Sequence, residues 1–231
     1  MSHLLSKSKY IRGLQCERAL WLDVHEPRLA RYTAEQMRRF DRGRDFEYAF
    51  KSRFPNGIDL SAELTRNVDL YPARTAQLLD KGDGVALFEA GFQYDDVLVL
   101  ADVVCQREDG SLDIYEVKSG TTLSDTYRRD AALQHYVISH CRRIHSFSIV
   151  YNGVDGENGA NGQDGRFAIV DLTEELAAEG DRIAANIAEM KTIVRATAEP
   201  DTPTGQHCLS PYACPYQLHC QQGVRQLALF G

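Results

Sequence analysis

The chain has 231 residues, 26 Lys plus Arg against 33 Asp plus Glu, and 43% hydrophobic residues, so it can bury a real core as one large domain or two small ones. A charged fraction of 26% excludes a disordered chain, and no apolar run reaches the ~18 residues that a membrane helix needs. "MSHLLSKSKY" lacks the apolar core of a signal peptide, so a cytoplasmic protein without membrane contact is expected. A net charge of −7 argues against a globally basic nucleic-acid coat and leaves room for a local basic groove.

Taken in chain order, "LSKSKYIRGLQCERALWL" (5–22) reads as one helix without internal proline. A second helix is expected over 33–53, with Thr33 as its N-cap, ending before Phe54-Pro55-Asn56-Gly57. The window 28–53 is basic inside an acidic protein: Arg28, Arg31, Arg38, Arg39, Arg42, Arg44, Lys51 and Arg53 face only Glu35, Asp41, Asp45 and Glu47. Such a run is a solvated helix face or a track for backbone phosphates.

From residue 85 the period changes. "VALFEAGFQ", "VLVLADVVCQR" and "SLDIYEVKS" read as three strands, separated by Asp95-Asp96 and by Glu108-Asp109-Gly110. A helix over 124–142, a strand over 146–152, a loop over 153–165 and a strand over 166–172 follow. Ile183, Ile187, Met190 and Val194 make the apolar stripe of an amphipathic helix, which is core packing rather than a ligand site. "AEPDTPTG" (198–205) links into a cysteine-rich tail. One α/β domain spanning 1–231 around a small mixed sheet is expected, with a helical part over 1–60 and a sheet-and-helix part over 85–172. The tail occupies 198–231.

The hairpin carries the chemistry. Glu116 and Lys118 are two apart on a strand and leave the same face. A two-residue Asp109-Gly110 turn would set Asp102 opposite Val117, on the wrong face. A three-residue loop with Gly110 in the left-handed position pairs Arg107 with Ser111 and sets Asp102 opposite Glu116. Adjacent carboxylates raise one another's pKa, and a divalent cation relieves that conflict; Mg²⁺ accepts such a pair, with Glu89 on the neighbouring strand as a further ligand. Lys118 is a point charge suited to a scissile phosphate.

These residues, followed at helical distance by Gln134 and Tyr136, resemble the PD-(D/E)XK nuclease superfamily in its RecB-like branch. In that resemblance Asp102 is the metal-binding aspartate, Glu116 and Lys118 form the ExK pair, and Gln134 belongs to the following helix motif. Tyr136 follows Gln134 by two residues where the family spaces four. The family's metal-binding histidine, some four residues after a glycine of the preceding helix, falls here on Glu47. The implied fold is a restriction-endonuclease-like core.

Cys208, Cys214 and Cys220 are evenly spaced in "HCLSPYACPYQLHC", and Cys16 lies in the first helical segment. Four thiolates hold a 4Fe–4S cluster or a structural zinc ion; the missing tight C-x2–4-C knuckle favours the cluster, while His207 and His219 keep zinc open. Cys105 and Cys141 are expected to be packed thiols. One N-terminal and three C-terminal cysteines is the arrangement of iron–sulfur RecB-like nucleases, which include the exonucleases of CRISPR adaptation. The resemblance thus implies a Mg²⁺- or Mn²⁺-dependent DNA exonuclease on single strands or ends, with a protein partner in repair, recombination or CRISPR adaptation. Arg38, Arg39, Arg42, Arg44 and Tyr136 would contact the DNA. The rival is a non-catalytic iron–sulfur or zinc module for nucleic-acid binding or assembly.

Overall fold

The computed structural model describes residues 4–64, 67–153 and 166–221, and for 39–42 the backbone alone. The expected loop after Gly153 and the last ten residues of the tail lie outside the described residues. The elements in chain order are β1 (Leu5–Ser6), α1 (Lys7–Gln15), α2 (Glu17–His25), α3 (Ala34–Lys51), β2 (Ile58–Asp59), α4 (Leu60–Leu64) and α5 (Tyr71–Lys81). Then come β3 (Leu87–Tyr94), β4 (Val97–Gln106), β5 (Leu112–Lys118), α6 (Asp125–Ser139), β6 (Ile144–Asn152), β7 (Phe167–Asp171), α7 (Thr173–Ala177) and α8 (Gly180–Arg195). The chain divides into two compact units. The first is Met1–Lys7 with Arg39–Ile183, and the second is Ser8–Arg38 with Ala184–Gly231.

The first unit is a mixed α/β layer structure built on a seven-stranded sheet, six strands in the order β2-β3-β4-β5-β6-β7 and the seventh, β1, paired with β4 off that path. Its hairpin follows the three-residue reading. Gly110 has φ +78°, Arg107 N–H donates to Ser111 O at 2.9 Å, and Val103, Val104 and Cys105 pair with Tyr115, Ile114 and Asp113. Asp109 closes the loop by accepting from Ser111 N and Oγ. β5 and β6 run parallel, which requires a crossover, and α6 supplies it. Ser124 caps α6 by accepting from Tyr127 N. Phe46 and Phe50 of α3 pack on Phe88, Val103, Val117 and Val150 on one face of the sheet. Phe147, three residues before Val150, faces the other way and meets His135 of α6. Helix α3 thus covers one face and α6 the other.

One short strand matters for the site. β5 covers β4 only from Val103 to Gln106, whereas β1 runs parallel to β4 at Val97 and Leu98. Both segments end near Asp102, which brings Lys7, the residue after β1, toward the end of β5.

The opening segment corrects the single-helix expectation. Leu5 and Ser6 are a strand, and Cys16 is extended (φ −167°, ψ 124°) between α1 and α2. The apolar pattern runs through Cys16 without a break, so local sequence carries no stop signal there. α3 begins as expected, with a reciprocal cap: Thr33 Oγ1 accepts from Gln36 N at 3.2 Å and Gln36 Oε1 accepts from Thr33 N at 2.7 Å. In the second unit, Ala19, Leu22, Tyr216 and Cys220 form a small core. The Gln15 amide donates to the carbonyls of His207 and Tyr212, both at 2.7 Å, and Arg31 N–H donates to Pro215 O at 2.8 Å. Ile183, Ile187, Met190 and Val194 are buried, as their stripe predicts.

Candidate functional site

Glu89, Asp102 and Glu116 occupy one row across three adjacent strands. Phe88–Val103 and Ala90–Ala101 are paired on either side of Glu89 and Asp102, and Val103–Tyr115 is the last pair before Asp102 and Glu116. The strand ladder is interrupted at this row. Asp102 replaces the missing rung with its side chain, Oδ2 accepting from Val117 N at 2.7 Å. Glu89 has φ +54°, a conformation that costs a non-glycine residue about 1–2 kcal/mol. Ordinary alternation would send Phe88 and Glu89 to opposite faces; instead both meet α3, Phe88 through Phe46 and Phe50 and Glu89 through Lys51 at 2.8 Å. Strain of this kind gathers at functional sites.

Glu47 of α3 completes an acidic set. Carboxylate oxygens of Glu47, Glu89 and Asp102 lie within 4.8 Å of one another, and this is the one group of three or more His, Cys, Asp or Glu at that spacing among the described residues. Lys51, four residues after Glu47, pairs with both Glu47 and Glu89 and is held charged by them against its burial. Burial and then the neighbouring Glu116 charge push the Asp102 carboxyl well above its usual range. Burial also raises Glu89.

Glu116 sits beside this set in a different environment. It is completely buried, yet its carboxyl stays well below the usual range, because Lys118 and Lys7 outweigh the burial. Its Oε1 accepts from Lys118 Nζ at 2.5 Å and from Lys7 Nζ at 2.8 Å, while Oε2 is buried without a partner. Lys118 also pairs with Asp130 of α6 and lies 5.7 Å over the Tyr127 ring. Gln134, one turn after Asp130, is fully buried with neither end of its amide hydrogen-bonded. A buried amide left unmatched at both ends is costly and marks a place where a ligand or water completes the structure.

The charges of this region do not cancel within the protein. Glu47, Glu89, Asp102, Glu116 and Asp130 face Lys7, Lys51 and Lys118, leaving two carboxylate charges unmatched. That excess equals one divalent cation, and hard oxygen donors are what Mg²⁺ and Mn²⁺ prefer. The residues present fit such an ion.

The structure therefore brings together Glu47, Glu89, Asp102, Glu116 and Lys118, and sets Gln134 one helical turn after Asp130, the partner of Lys118. Sequence reasoning missed Lys7, Lys51 as the partner of Glu89, and Asp130. Only Asp130 carried a local signal, its spacing of four from Gln134 on one helix face. Tyr136 is not brought to the site: two residues past Gln134 is roughly 200° around a helix. It packs instead with Tyr94 and His140. Arg38 and Arg44 are exposed on α3, and the side chains of Arg39 and Arg42 lie outside the described residues.

Cys16, Cys208, Cys214 and Cys220 all belong to the second unit, Cys208 and Cys220 buried and the other two half-buried. Burial raises the thiols of Cys16, Cys214 and Cys220, and each is raised further by charge on its neighbours in the set. No three of them come within the 4.8 Å of one another that the acidic set reaches. Cys105 packs against the core of the first unit as expected, and burial pushes its thiol up to about 11; Cys141, expected to be packed as well, is instead exposed, with Sγ against Gln93 O. Among the described residues no helix is long and apolar enough to cross a membrane.

No family model and no curated protein matches the chain. Among solved structures, one titled "Crystal structure of SSO0001" is similar at 11% identity over 94% of this chain and 85% of that one, with a TM-score of 0.40, a likeness that carries no argument about function.

Proposed function

We propose that the chain is a metal-dependent nuclease that hydrolyses phosphodiester bonds of DNA, on single strands or strand ends, and that its sheet is a PD-(D/E)XK core. The observation that carries this reading is the interrupted row of Glu89, Asp102 and Glu116, joined by Glu47 and flanked by Lys118. Glu47, Glu89 and Asp102 would hold Mg²⁺ or Mn²⁺, while Glu116, on the next strand and outside that close group, keeps a buried Oε2 without a partner. A divalent ion there supplies an acidified water and neutralises a phosphoryl oxygen.

The chain's own groups do the rest. Lys118 carries a fixed positive charge, kept by Asp130 and Glu116 despite its burial, and offers it to the phosphate undergoing attack. Gln134 presents both an N–H donor and a carbonyl acceptor to the attacking water or the substrate. Asp102, the carboxyl most raised by its surroundings, gains most from a bound cation.

We propose further that Cys16, Cys208, Cys214 and Cys220 hold a 4Fe–4S cluster acting as a staple between the N-terminal helices and the tail. Their place in one unit supports it. Closing so long a loop removes unfolded-state entropy.

The test is cleavage of end-labelled linear and circular single-stranded DNA with Mn²⁺ and with EDTA, together with Lys118→Met. Mn²⁺-dependent loss of the linear substrate alone, abolished by Lys118→Met while Mn²⁺ still binds, is the expected result. No Mn²⁺-dependent cleavage of either substrate refutes the enzyme and leaves a binding or assembly module.

A further inference from the structure

The region around Glu116 contains more positive charge than a single active-site lysine provides. Lys7 Nζ lies 2.8 Å from Glu116 Oε1 and 3.9 Å from Asp130 Oδ2, and Lys118 engages the same two carboxylates. Two ammonium groups thus face the same two buried carboxylates. Glu116 Oε2 and Asp130 Oδ1 remain buried without partners.

The route by which Lys7 arrives is specific. β1 is only two residues long and fills the part of β4 that β5 leaves uncovered, so its next residue reaches the end of β5. An apolar residue after β1 would close the sheet as well. A lysine there has an electrostatic use.

We propose that Lys7 is the positioning counter-ion of this site: it stays against Glu116 and Asp130 and holds both carboxyl groups in place when Lys118 turns to the substrate phosphate. Without Lys7, that movement would leave two buried carboxylates with no cation, a state that low-dielectric surroundings strongly oppose. With Lys7, one ammonium stays between them while the other works. The same pairing holds the Glu116 rotamer, so that Oε1 stays on the lysines and Oε2 stays available to a cation. This inference rests on the nuclease reading and adds a residue to it.

The test uses the whole chain with Mn²⁺ and a single-stranded oligonucleotide, comparing wild type, Lys7→Met, Lys7→Arg and the double variant Lys7→Met/Asp130→Asn. Four quantities are read: kcat, KM, Mn²⁺ affinity by calorimetry, and melting temperature. Lys7→Met should lower kcat about 10²-fold with KM little changed. Its Mn²⁺ affinity should fall about 10- to 100-fold, the usual effect of removing a partner behind a ligand. Lys7→Arg should keep most of the activity. The double variant should recover at least about tenfold of the loss, since deleting one carboxylate restores the balance and the two sites are coupled. A merely structural salt bridge would lower melting without this rescue of kcat. If Lys7→Met does not fold, Lys7→Gln against Lys7→Arg carries the same contrast. Wild-type kcat and Mn²⁺ affinity in folded Lys7→Met, or a double variant no better than the single, overturns the proposal alone. A wild-type protein with neither Mn²⁺ uptake nor cleavage overturns the nuclease reading and this one with it.

Discussion

Asp102→Asn should make the protein more stable without metal and remove the further stabilisation that metal gives the wild type. The carboxyl is buried with Glu116 beside it and oxygens of Glu47 and Glu89 within 4.8 Å. Two like charges at that distance repel by about 3–4 kcal/mol at an effective dielectric of 20. Lys51 offsets part of this, so neutralising Asp102 should return about 1–3 kcal/mol to the first unit. The substitution keeps the one bond that matters structurally, because an amide oxygen can still accept from Val117 N. For a chain of this size the gain corresponds to a rise of about 3–10 °C in EDTA. Manganese at a hundred times its dissociation constant should stabilise the wild type by about 2.7 kcal/mol and Asp102→Asn hardly at all. The assay is scanning calorimetry of both proteins in EDTA and in Mn²⁺. Fluorescence of the single tryptophan serves as a control, since Trp21 lies in the second unit. Lower melting of Asp102→Asn in EDTA, or an equal Mn²⁺-induced shift in both proteins, refutes the charge argument.

Further outcomes follow from other parts of the molecule. Cys16→Ala and Cys214→Ala should each lose the iron of the wild type, whereas Cys105→Ala and Cys141→Ala should keep it, by iron quantitation on purified protein; stoichiometric zinc without iron would replace the cluster by a zinc staple. Gly91→Ala should destabilise the first unit by about 1–3 kcal/mol in denaturant melts, because a Cβ there would sit 2.4 Å from Tyr71 Cβ and 2.9 Å from the Tyr71 carbonyl carbon. Burial holds the His135 imidazole below its ordinary 6.5, so the unfolded chain takes up a proton that the native state refuses as pH falls below that value. His135→Gln should therefore flatten the fall in melting temperature from about pH 7 to about pH 5.

The hairpin was the most legible part of the fold. Gly110 can adopt the left-handed turn that a three-residue loop needs, and once that loop is set the facing of Asp102 and Glu116 follows by alternation. α3 was legible at its start because Thr33 and Gln36 are a local device. β2, α4 and α5 carried no comparable pattern in the reading, and the break at Cys16 depends on its surroundings rather than on its neighbours in sequence. At the site, the acidic row was readable from strand register and Glu47 only through a family spacing. Lys7 was not readable at all, because its position depends on a two-residue parallel pairing with a strand some ninety residues later. The turned backbone of Glu89 was equally hidden, since a strand pattern assigns each residue a face and gives no sign of an exception.

The rung that Asp102 makes with Val117 has a practical reach. The amide of Val117 is held by a side chain rather than by a facing carbonyl, so its hydrogen exchange depends on the state of that carboxylate. A single backbone amide thereby becomes a reporter on the acidic pocket, readable without substrate, turnover or label. Cation binding that draws Asp102 away should speed exchange at Val117 while Ile114 and Val104, paired in the regular ladder, keep their rates.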